Sequence, residues 1–125
     1  MLGEVLLMIS TAVAQATDQL LQALRGTDAF IRYASLKESV MADEMNRGLL
    51  KRFTRAQSAL QMAAMAGGEP REEDAGEFEK LSALVYQSEE LTEYLLAQMR
   101  VQQLVAETMD RLTREVGLDV ELPGL

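Results

Sequence analysis

The chain is 125 residues long, a size at which one hydrophobic core is the usual solution, so a single domain spanning residues 1–125 is expected. Its apolar fraction of 48% includes eight Met among many Ala and Leu but no Trp, three Phe and three Tyr, so helix formers outweigh strand formers. Twenty acids against twelve bases leave a net charge of -8, which disfavours direct nucleic-acid binding, and the absence of Cys and His closes off disulfides, thiolate metal sites and the usual zinc ligands.

A first helix is predicted over residues 4–24, with Leu6, Ile9, Val13, Ala16, Leu20 and Leu24 recurring at steps of three and four. Gly26 stops it, because glycine tolerates the left-handed conformation that closes many helices. Within this helix Val5, Leu6, Leu7, Met8 and Ile9 form an unbroken apolar run that encircles the helix, more than a single contact face covers. Val5, Leu6, Ile9, Val13 and Leu20 are therefore candidate interface residues, with a second copy of the chain as the least demanding occupant. The alternative is that helix one is clamped between helices of its own chain. The run is not read as a signal peptide, since Glu4 stands where a positive charge is wanted and the helical pattern continues past Ala16.

Thr27 is a good N-cap for a second helix over residues 28–42, carrying Phe30, Ile31, Ala34, Leu36 and Val40. Asp43 and Glu44 place negative charge at the start of a third helix, over residues 43–66, although the break is weak enough that helices two and three could be continuous. Helix three presents Leu49, Phe53, Ala56, Leu60 and Ala63 at heptad spacing, suited to a partner helix. Lys51, Arg52 and Arg55 on the same helix read as a solvated face. Gly67, Gly68 and Pro70 end it. Glu72, Glu73 and Asp74 then open a fourth helix that buries Phe78, Leu81, Leu84 and Val85.

Ser88 with Glu89 and Glu90 starts the last helix, over residues 89–116, about 42 Å long at the α-helical rise. Its apolar residues fall in two seven-residue series, Leu91, Gln98, Val105, Leu112 and Leu95, Gln102, Met109, Val116. Gln98 and Gln102 either form a buried polar layer that fixes register or rotate out to solvent. Glu107 with Arg111, and Asp110 with Arg114, are acid-before-base pairs four apart on the solvent side. Gly117 stops the helix, and residues 118–125 read as a short tail.

The expected fold is all-α: an elongated antiparallel bundle of about five helices in which long helices three and five form a hairpin. The candidate seam of that hairpin is Leu49, Phe53 and Leu60 against Leu91, Leu95, Gln98, Gln102, Val105, Met109 and Leu112. Residues 1–26 are assigned to oligomerisation, 27–117 to the bundle core. The methionines read as core filler.

No catalytic, cofactor-binding or metal-binding residue is identified, and no small-molecule substrate is expected. Glu72, Glu73, Asp74 and Glu77 lack calcium-loop spacing and are explained by the helix dipole. The Gly67-Gly68-Glu69-Pro70 segment follows a helix and lacks the ending of a phosphate loop. The serines have no histidine to deprotonate them. No stretch reaches the roughly 18 apolar residues needed to span a bilayer, so a cytoplasmic location is expected.

The run Thr27-Asp28-Ala29-Phe30-Ile31-Arg32-Tyr33, then Phe53-x3-Gln57, Met65-Ala66-Gly67 and the ending Gly117-Leu118-Asp119 together resemble the bacterial YlbF/YmcA family, including its YheA-like members. The resemblance covers residues 16–119. It implies a small helical bundle that self-associates or joins relatives in a complex. In Gram-positive bacteria, members of the family form a regulatory complex that acts with the endoribonuclease RNase Y and influences competence, sporulation and biofilm formation. Some help hold an iron-sulfur cluster through cysteines, a property this cysteine-free chain cannot supply alone.

These readings converge on a non-enzymatic regulatory adaptor that works through protein–protein contacts. A homodimer is favoured, and a hetero-complex with family paralogues and the RNA-decay machinery is what the resemblance adds. A structural assembly protein without a regulatory partner is the alternative, and an unrecognised enzyme the remaining one.

Overall fold

The computed structural model describes the backbone of residues 2–117 and the side chains of residues 10–117. The side chains of Val5, Leu6 and Ile9, and the tail at residues 118–125, lie outside the described residues. Five helices follow one another: α1 (Leu2–Arg25), α2 (Asp28–Ala42), α3 (Glu44–Met65), α4 (Glu72–Gln87) and α5 (Glu89–Val116). No strand occurs among the described residues.

Local chemistry accounts for most boundaries. The Thr27 hydroxyl accepts a hydrogen bond from the Phe30 amide at 3.2 Å, and the Ser88 hydroxyl accepts one from Leu91 at 3.2 Å. Each supplies an acceptor for one of the amides that a helix start leaves unpaired. Gly67 and Gly117, at φ 79 and 81, take the left-handed conformation that ends α3 and α5. Gly26 does not: α1 ends there with an ordinary backbone, its amide bonded to the Gln22 carbonyl at 3.1 Å.

Helices α2 and α3 are not continuous. Asp43 adopts an extended conformation (φ -93, ψ 117), so it ends α2 and, through a carboxylate that accepts from the Asn46 amide at 3.1 Å, starts α3. Ser88 repeats this between α4 and α5 with nearly the same dihedrals (φ -89, ψ 116).

These two elbows decide the pairing. α5 runs antiparallel to α2, joined by an Arg32–Glu93 ion pair at 3.4 Å and by Tyr33 stacked on Tyr94 with centroids 5.7 Å apart. α3 runs antiparallel to α4, joined by Arg52–Glu77 at 3.2 Å and by Phe53 stacked on Phe78 at 5.5 Å. The expected hairpin of the two long helices is therefore corrected. A short loop hands the antiparallel place beside α3 to the next helix, α4, and the Ser88 elbow then turns the chain so that α5 continues against α2. The molecule is one hairpin whose two legs, α2–α3 and α4–α5, are each broken once.

The core sits where the elbows meet. Val40, Leu81, Val85 and Leu91 are essentially sealed from solvent, with Leu50, Phe53, Ala56 and Tyr94 buried around them. At roughly 1.5–3 kcal/mol for each large apolar side chain buried, this cluster is the principal cohesive element of the described bundle. Glu90 latches the elbows together, its carboxylate accepting from the Ser39 hydroxyl near the end of α2 and from the Asn46 side-chain Nδ2 at 3.0 Å at the start of α3. Leu84, expected inside, is exposed. Among the described residues the methionines are mostly not core filler: Met45, Met62, Met65, Met99 and Met109 are exposed, and Met41 alone packs against the core.

α1 stands apart. It meets the bundle chiefly at α2, every described residue from 10 to 19 is exposed, and only Leu20 and Leu24 near its end are half-buried. Its own chain does not clamp the described part of this helix.

Candidate assembly surface

The geometry of α5 follows from a mismatch in length. α5 has 28 residues and its antiparallel neighbour α2 has 15. With Ser39 beside Glu90 and Tyr33 beside Tyr94, the start of α2 comes level with α5 near Gln98, and α2 offers no cover beyond it. The apolar seam of α5 continues regardless. Leu91 is buried and Leu95 packs on the core, whereas Val105, Met109 and Leu112 are 44%, 41% and 47% exposed and Val116 is more exposed still. The last four recur at steps of four, three and four, so they form one stripe on one face.

Helix α1 carries a second uncovered stripe. Val13 is 60% exposed and Ala16 is exposed one turn on, while Leu20 is half-buried near the junction with α2. Of the sequence-predicted seam, Phe53 is buried against α4, Leu49 packs on the core and Leu60 is half-buried. The described bundle thus does not bring the α3 and α5 halves of that seam together along its length. Gln98 is half-buried and Gln102 exposed, so the two do not form a sealed polar layer. On the solvent side Asp110 and Arg114 pair at 3.0 Å, while Glu107 accepts from Gln103 at 3.4 Å rather than pairing with Arg111.

An open cavity of about 400 Å³ lies where α3 faces α5, and Lys51, Arg52 and Arg55 are all exposed, as expected of a solvated face. Of those three, only Arg52 is taken up by an acid, Glu77. Lys51 and Arg55 line the cavity together with Arg47, and the visible signal was their recurrence every fourth residue on one stripe. Tyr94 and Gln98 line it from α5. Burial, reinforced by the adjacent Tyr33, pushes the Tyr94 phenol up to about 12, so it remains protonated at neutral pH.

Among the described residues no group of acids is placed to hold a metal ion, and no helix is long and apolar enough to cross a membrane. What remains is a small all-helical bundle with an unpartnered helix face. The chain belongs to the YlbF/YmcA family: the family model described as "Control of competence regulator ComK, YlbF/YmcA" matches residues 13–117. Among its relatives, UPF0342 protein YheA of Bacillus subtilis is 35% identical over 85 residues, covering 68% of this chain and 73% of YheA. A UPF0342 protein of Halothermothrix orenii is 27% identical over 90 residues, covering 72% and 76% of the two chains. The fold is shared with a solved structure, a protein of unknown function (DUF964) from Bacillus stearothermophilus, at a TM-score of 0.69 and 21% identity over 84% of this chain and 92% of the other.

Proposed function

We propose that this chain is a regulatory interaction protein, without catalysis of its own, that self-associates through α1 and the distal half of α5. The observation that carries this is the stripe Val105, Met109, Leu112, which prolongs a buried seam past the end of its intramolecular partner and stays open to solvent. A seam with heptad spacing is matched by another helix, and a second copy brings both an α1 and an α5 of the required character. Val13 and Leu20, with Val5, Leu6 and Ile9 further along α1, supply the other side. The resulting dimer is the unit that would join family paralogues and the RNA-decay machinery in the cytoplasm.

The test is light scattering on Val105→Glu/Met109→Glu/Leu112→Glu beside Leu6→Glu/Ile9→Glu/Val13→Glu. Each set is expected to convert the dimer to a monomer with helical content retained. An unchanged mass in the first set removes α5 from the interface, and in the second removes α1. Affinity capture from the native cell separates the regulatory reading from a purely structural one, since RNA-decay components are expected only from the former.

A further inference from the structure

We propose that the cavity between α3 and α5 is a binding site for a small organic phosphate, a phosphate monoester carried on an apolar or planar body of about nucleoside size. The site is independent of the assembly surface. Arg47, Lys51 and Arg55 stand at successive four-residue steps on α3 and line one side. Like charges at this spacing repel each other on a helix, a cost that a bound anion would offset. No Asp or Glu lines the cavity, although acids outnumber bases in the chain and give it a net charge of -8.

Three of the basic side chains outside the cavity are paired with acids. Arg32 pairs with Glu93, Arg52 with Glu77 and Arg114 with Asp110. Lys51 and Arg55 have no carboxylate within ion-pair distance among the described residues, and Arg47 directs one guanidinium N–H to the Met41 carbonyl at 3.3 Å, which steadies it at the rim. A hydroxyl and an amide, from Thr54 and Gln98, add neutral hydrogen-bonding groups beside the cations. Three cations with neutral donors suit the several oxygens and double charge of a phosphate monoester better than a single carboxylate.

The floor defines the rest of the ligand. Leu50 and Tyr94 belong to the buried core, and Met41 packs against it, so the inner wall is apolar while the charge lies toward the mouth. A volume of about 400 Å³ is in the range of small-molecule sites and exceeds what free phosphate needs. An anionic head at the rim and an uncharged body against the core is the arrangement that satisfies both halves.

Calorimetric titration of the full chain with adenosine monophosphate, inorganic phosphate and an acidic peptide tests this. Saturable binding of the nucleotide is expected, at least about tenfold tighter than inorganic phosphate and weakened by salt. Lys51→Gln and Arg55→Gln should each lower it about tenfold with the circular dichroism spectrum unchanged, whereas Arg52→Gln and Arg114→Gln should leave it intact. Absence of saturable nucleotide binding, equal losses in all four variants, or binding of the acidic peptide alone would overturn the assignment. Binding of inorganic phosphate as tightly as the nucleotide would overturn the role of the apolar floor.

Discussion

Asp43 and Ser88 each perform two tasks with one residue, closing one helix and capping the next from the same extended conformation. Their side-chain oxygens accept the bonds from the Asn46 and Leu91 backbone N–H groups, so Asp43→Ala and Ser88→Ala should each cost about 1 kcal/mol in urea unfolding. A variant as stable as the parent would show that tertiary packing alone holds the elbows. Tyr94 gives a second test. Its phenol is held neutral up to about 12, above its ordinary value near 10, so the folded chain binds that proton more tightly than the unfolded chain. The associated stability is complete below about pH 10 and is lost as the pH rises toward 12. Alkaline unfolding followed by circular dichroism should therefore steepen in that window, and Tyr94→Phe should flatten it.

The helix termini were readable because their causes are local. Thr27, Ser88 and Gly117 act on neighbours within four residues, and α2 begins, and α5 begins and ends, where these signals place them. The pairing of helices was not readable in the same way. Periodicity reveals that Phe53 and Leu91 need cover, but not which helix supplies it, and a single extended residue at Asp43 or Ser88 redirects everything after it. The cavity escaped for a related reason: Lys51 and Arg52 are adjacent in sequence, yet a helix turns them about 100° apart, so Arg52 reaches Glu77 while Lys51 faces α5. The two halves of α5 should accordingly respond differently to truncation. Leu91→Ala, inside the sealed core, should cost about 2–5 kcal/mol. Leu112→Ala should change the stability of a separated monomer by no more than about 0.5 kcal/mol while weakening association, as read by unfolding measured against protein concentration.

The whole molecule divides into a cohesive part and a projecting part. Among the described residues, every buried member of the core cluster lies on α2, α3, α4 or α5, and the described part of α1 contributes none. A chain lacking residues 1–26 should therefore still unfold cooperatively with its helical bundle intact, and loss of cooperative unfolding would mean that α1 is structural. The projecting parts, α1 and the distal half of α5, are the ones with uncovered apolar stripes, so the fold places its stickiest surfaces where its own core cannot reach them. Sedimentation equilibrium of the unmodified chain over a range of concentrations tests this most directly. A mass near twice 13.9 kDa is expected; a mass of 13.9 kDa at every concentration would contradict self-association through these stripes.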